Sequence, residues 1–163
     1  MKSERFFFSR ELFMKMFSKV MTGAMFVVSI GFAGVASAKT CDLSIEGSDA
    51  MQFNKKELDA SGCTEVKLTL KHAGKLPKAA MGHNWVLSAA ADKTKIVDSA
   101  TKSGPAKDYA PTAPGIIAHT KLLAGGESDT VTFKTDKMKK GGDYVFYCTF
   151  PGHVSMMSGK FLF

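Results

Sequence analysis

The chain has 163 residues, 45% of them hydrophobic and 23% charged, with a formal net charge of +7. That balance fits one globular domain and excludes a disordered tail or a collagen-like repeat. The charge is split, since Lys2, Arg5, Arg10, Lys15 and Lys19 against Glu4 and Glu11 leave +3 in the first 38 residues and +4 in the rest. Lysines dispersed in this way, without interleaved aromatic residues, exclude a nucleic-acid-binding face and describe a solvated basic surface. The cysteine count of three is odd, so at least one cysteine lies outside any intramolecular pair.

The first segment with a pattern is Val20 to Gly34, VMTGAMFVVSIGFAG, apolar and uncharged. Its 15 residues are short for a bilayer span, which takes about 20, and suit the core of a secretory signal. Ala36-Ser37-Ala38 then offers small residues where a signal peptidase reads them, which predicts cleavage after Ala38. Met14 is an alternative start that would give a leader of more usual length. No twin-arginine pair is present, which favours export of the unfolded chain. Residues 1–38 are expected to be removed on export, leaving 39–163 as a single domain with no membrane span.

Downstream, the patterns are those of β-structure. Glu65 to Lys71 (EVKLTLK) alternates with period two, turning Val66, Leu68 and Leu70 to one side. Asn84 to Ser88 is a short apolar run in which Trp85 reads as core. Ala89 to Thr101 lacks alternation and predicts a short helix within Asp92 to Ser103, ahead of the Gly104-Pro105 breaker. Asp129 to Lys134 alternates again after the Gly125-Gly126 turn, and Asp143 to Tyr147 and Ser158 to Phe163 complete the set. Many short strands separated by turns predict a two-sheet sandwich or a barrel. Met138 carries no pattern and reads as incidental.

The chemistry concentrates near the C-terminus, in Cys148-Thr-Phe-Pro-Gly-His153-Val-Ser-Met-Met157. A thiol, an imidazole and a thioether share one strand-end loop, which Pro151 and Gly152 allow to turn back. Far upstream, Gly82-His83-Asn84-Trp85 adds a second imidazole directly after a backbone carbonyl. Two His, one Cys and a Met are the donor set of a trigonal copper centre with a weak axial thioether. Cu(I) favours soft sulfur and Cu(II) accepts imidazole, so a compromise site needs little rearrangement on electron transfer. Three other readings remain open on the residues alone: an inert buried thiol, a nucleophilic Cys–His pair, and zinc, for which the Met would be idle.

MGHNWVLS (Met81 to Ser88) together with YCTFPGHVSMM (Tyr147 to Met157) resembles the bacterial blue-copper proteins of the cupredoxin family. Cys41, Met51-Gln52-Phe53, Cys63, Leu76-Pro77, Ile117 to Leu122 and Asp129 to Phe133 fit the same pattern in order. The resemblance implies a Greek-key β-sandwich of about eight strands with a short helical insert. It further implies one copper per chain, held by His83, Cys148 and His153, with Met157 as axial thioether and the Gly82 carbonyl as a weak opposing oxygen. Met156 and Met157 are both thioethers, and the spacing selects Met157. Asn84 and Phe150 would support the site, with nearby backbone N–H groups donating to the Cys148 sulfur. Met51, Met81, Pro151 and Met156 would form an apolar partner-docking patch around the His153 edge. His72 and His119 read as satisfied surface or edge residues, although the resemblance sets His72 near the copper.

With Cys148 assigned to the metal and export to an oxidising compartment, Cys41 and Cys63 are expected to form a disulfide. The function implied is single-electron transfer in the periplasm, without substrate turnover, between redox proteins such as c-type cytochromes or periplasmic reductases. Copper storage or delivery is the competing class; it favours open Met- or His-rich tracts, which this sequence lacks.

Overall fold

The computed structural model describes residues 38–163; the expected leader, apart from Ala38, lies outside the described residues. Among them, nine strands form two sheets. These are β1 (Thr40–Ser48), β2 (Gln52–Phe53), β3 (Glu57–Asp59), β4 (Glu65–His72), β5 (Val86–Ala89), β6 (Ile116–His119), β7 (Ser128–Lys134), β8 (Tyr144–Tyr147) and β9 (Ser158–Leu162). One sheet runs β2-β1-β4-β7 and the other β3-β9-β8-β5-β6. β1 pairs parallel with β4 and β3 parallel with β9, while the remaining pairs are antiparallel. The expected sandwich is present, with nine strands where about eight were anticipated; β2 and β3 are too short to show a period.

The core lies where the inward faces meet. Val66, Leu68 and Leu70 of β4 are fully buried, as their alternation requires, and meet Phe133 of β7 and Ile45 of β1. From the opposite sheet come Leu87, Phe146 and Phe161, around Trp85 at ring-centroid distances of 6.2–6.3 Å from Phe133, Phe146 and Phe161. Met138, unpatterned in sequence, is also part of this core: its N–H donates to Thr135 O, and the turn folds its side chain under the sandwich. Cys41 and Cys63 are disulfide-bonded and tie the start of β1 to the segment entering β4.

Strands β5 and β8 are apolar on both faces for a reason. Their second face, carrying Val86 and Tyr147, is covered by the insert. That insert holds helix α2 (Lys93–Ser103), preceded by a 3-10 turn at Ala90–Asp92 and packed through Ile96 and Ala100, one turn apart. Gly104, in the left-handed region at φ 68°, ends it. A short helix α1 (Lys78–Met81) leads into Gly82 and His83. Among the described residues no helix is long and apolar enough to cross a membrane.

Candidate metal centre

At one end of the sandwich, three segments converge: the turn after β1, the stretch between α1 and β5, and the loop between β8 and β9. They bring together His83, Cys148 and His153, whose donor atoms all lie within 4.8 Å of one another and which are all buried. Cys148 follows β8 directly and shares the inward direction of Phe146. Its N–H donates to Met157 O at 3.0 Å, and the N–H groups of Met156 and Met157 reach His153 O at 3.0 and 2.7 Å. The loop thus closes on itself. Gly152, at φ 81°, makes the turn before His153 possible without strain.

The imidazoles are oriented as donors. His83 Nε2–H donates to the Ser48 carbonyl at 2.9 Å, which leaves Nδ1 carrying the lone pair. That Nδ1 is buried and has no hydrogen-bond partner. An orphaned buried acceptor beside a thiol and a second imidazole fits a soft or borderline cation. His153 Nδ1 lies 3.7 Å from Cys148 Sγ, and the Gly82 carbonyl lies 3.9 Å from the same sulfur. Met157 is fully buried. A Cβ added at Gly47 would lie 2.8 Å from His83 Cδ2 and 3.2 Å from Met157 Cε, so the Met157 methyl and the His83 ring border the same point.

Electrostatics agree with a site built for a cation. Burial lowers the His83 imidazole from its ordinary 6.5. Burial, reinforced by His83 and His72, lowers His153 to about 4, so both rings are neutral at physiological pH. Burial also pushes the Cys148 thiol up to about 11, against the opposing pull of the backbone N–H groups of Asn84 and Phe150 on its sulfur. A metal taken up here at neutral pH therefore displaces the thiol proton.

Surrounding side chains hold the two ligand segments together. Asn84 Nδ2–H donates to Thr149 Oγ1 at 2.7 Å, and Thr149 N–H donates back to Asn84 Oδ1 at 2.8 Å. Thr149 Oγ1–H continues to Tyr109 O at 3.0 Å. Phe150 packs between Tyr109 and His153 at ring-centroid distances of 5.3 and 4.6 Å.

His72 is a correction to the sequence reading. It is fully buried, stacked on His83 at 4.2 Å, with Nε2–H donating to Met81 O and Nδ1 accepting from Gly74 N–H. The signal was present, because the inward alternation Val66, Leu68, Leu70 continues to His72. His119 is exposed on an edge strand, as expected. Of the apolar residues expected at the rim, Met51 and Met156 are 37% and 49% exposed, Pro151 is exposed and Met81 is half-buried. The Ser48 carbonyl and the close approach of Gly47 had no residue-type signal.

Residues 39–162 match the copper binding proteins of the plastocyanin/azurin family, and the chain belongs to that family. With the His83–Cys148–His153 cluster, this makes copper the metal of the site. Among its relatives, the azurin of Alcaligenes faecalis is 50% identical over 121 residues, spanning 73% of this chain and 94% of the relative. The azurin of Pseudomonas aeruginosa is 48% identical over 124 residues, spanning 75% and 84%. The solved structure of an azurin, Az-iso2 from the methylotroph Methylomonas sp. strain J, superposes with a TM-score of 0.69 at 31% identity, covering 75% of this chain and 96% of that one.

Proposed function

We propose that this chain is a type 1 (blue) copper electron carrier of the periplasm, with His83, Cys148 and His153 as equatorial ligands, Met157 as axial thioether and the Gly82 carbonyl as a weak opposing oxygen. The observation that carries it is the buried triad, with His83 Nδ1 turned inward and unpartnered beside the Cys148 thiol. Copper supplies one-electron chemistry there, as a Cu(I)/Cu(II) couple. The protein contributes rigidity and exclusion of water. Ser48 O fixes the His83 tautomer, the Asn84–Thr149 pair locks the two ligand segments, and N–H groups of Asn84 and Phe150 support negative charge on the sulfur. Donors that cannot move keep the reorganisation on electron transfer small.

Several features support a carrier over an enzyme or a copper store. The three donors are buried, and Met157 and the Gly82 carbonyl as the remaining donors would leave a substrate no easy ligand position. A disulfide suits an oxidising compartment, as does the leader read from residues 1–38. The exposed Met51, Pro151 and Met156, with half-buried Met81, offer an apolar face for brief contact with redox proteins such as c-type cytochromes or periplasmic reductases. Adding Cu(II) to the exported protein should give intense blue colour, bleached by a reductant and restored by an oxidant. Cys148→Asp should abolish the colour while keeping some metal binding; a variant that stays intensely blue sinks the thiolate assignment. Met81→Lys should leave the spectrum nearly unchanged and slow electron self-exchange strongly, since like charges then face each other.

A further inference from the structure

Lys55 and Lys56 sit where the chain leaves β2, in the four-stranded sheet, for β3 in the five-stranded one. Their ammonium groups diverge: Lys55 Nζ donates to Ser44 O of β1 at 2.8 Å, and Lys56 Nζ donates to Met156 O, in the loop just before β9, at 2.7 Å. The Lys56 backbone is fixed as well. Lys160 N–H of β9 donates to Lys56 O at 2.9 Å, and Gly159 packs so closely on that carbonyl that no Cβ fits between them. Both ends of Lys56 thus grip the stem by which the ligand loop returns to β9.

The Met156 carbonyl belongs to the peptide that leads into Met157. On its other side, among the described residues, that arm is hydrogen-bonded only within the loop, through His153 O and through the Cys148 N–H bond to Met157 O. Among the described residues, Lys56 is the one charged side chain hydrogen-bonded to residues 148–157 from outside them. A bond from an ammonium to a carbonyl is stronger than a neutral one. Lys56 is exposed, so competition with water keeps the effect modest.

We propose that Lys56 is a positioning residue of the metal centre: its ammonium clamps the Met156 carbonyl and holds the arm that carries Met157 beside His83. The value of that placement to the metal rests on the function proposed above; the clamp itself is made by the polypeptide alone. The test is amide hydrogen exchange, read by NMR on the exported protein stripped of copper, for the parent and for Lys56→Met, Lys56→Arg and Lys55→Met. Losing a net bond of this kind corresponds to about three- to tenfold faster exchange. Lys56→Met should speed exchange at the Met157 and Cys148 amides by that factor and leave Leu68 and Leu70 at the parent rate. Lys56→Arg, which keeps a charged donor, should restore protection, and Lys55→Met should not affect the loop. Parent-like exchange at Met157 and Cys148 in Lys56→Met, or no rescue by Lys56→Arg, overturns the clamp even if the copper-loaded protein is blue. A protein that never turns blue overturns the function and leaves this comparison readable.

Discussion

Gly47, in β1, lies close against the His83 ring and the Met157 methyl, and Gly47→Ala tests that packing directly. The substitution adds one carbon 2.8 Å from His83 Cδ2, 3.2 Å from His83 Cγ and 3.2 Å from Met157 Cε, where ordinary contact begins at 3.4 Å. The ring must therefore retreat by 3.4 less 2.8, or about 0.6 Å. It has little freedom to do so, being stacked on His72 at 4.2 Å and hydrogen-bonded through Nε2 to Ser48 O. Gly47 is not among the residues of positive φ, so alanine suits the backbone and gains about 0.5–1 kcal/mol over glycine in a strand. Overpacking of a filled core costs about 1–3 kcal/mol. The net expectation is a loss of up to about 2.5 kcal/mol in the copper-free protein. Urea unfolding measures it as a lower midpoint at unchanged slope. In the copper-loaded protein the donors can relax less, so the extra stability given by copper should shrink and the colour should change. Parent stability together with a parent spectrum would refute the close packing of Gly47, His83 and Met157.

Removing the disulfide with Cys41→Ala and Cys63→Ala, at a sequence separation of 22, should cost about 3 kcal/mol in urea unfolding by the chain-entropy relation and leave the copper spectrum unchanged. The copper-free protein should be stable above the unfolded-state histidine value of 6.5 and lose stability as pH falls from there towards about 4, because the unfolded chain takes up a proton that folded His153 refuses; a flat urea midpoint between pH 7 and pH 4 would contradict this. Met157→Leu should keep copper and colour while raising the reduction potential in voltammetry, since a weaker axial donor favours Cu(I); loss of copper would show that Met157 is an anchor.

Legibility followed the strength of the period. β4 could be read because Val66, Leu68 and Leu70 alternate cleanly with charged or polar residues. β1 escaped because its inward positions, Cys41, Leu43, Ile45 and Gly47, mix half-buried and small residues, and because its long partner is a parallel strand distant in sequence. β6, with four residues, offers no period that differs from a loop. The ligand loop was legible since Cys148, His153 and Met157 fall within ten residues and differ chemically from their neighbours. What turns His83 into a donor is a backbone carbonyl, and every residue type has one. Lys56 was hidden for the opposite reason: a lysine in a run of polar residues reads as solvated surface, and only the fold brings it to Met156.

One rule nevertheless connects the strands to the centre. Apart from His153, which a turn supplies, each segment that reaches the site does so by continuing the inward parity of its strand's hydrophobic face: Ile45 to Gly47, Leu70 to His72, Leu87 and Trp85 back to His83, Phe146 to Cys148, and Phe161 through Gly159 back to Met157. The metal centre is therefore the last layer of the core, made polar at the end of the sandwich. Parity also separates the two adjacent thioethers. Met157 shares the side of Phe161 and is fully buried, whereas Met156 is turned out and 49% exposed. Tyr147, one residue before Cys148, likewise faces the insert, with its hydroxyl bonded to Ser88 Oγ. Because side chains alternate at every residue, a one-residue slip of β8 or β9 would move Cys148 or Met157 to the opposite face and leave the backbone ladder nearly intact. The centre is thus held in register by the same aromatic and aliphatic packing that stabilises the fold, and the hydrogen bonds around it refine positions that the strands have already set.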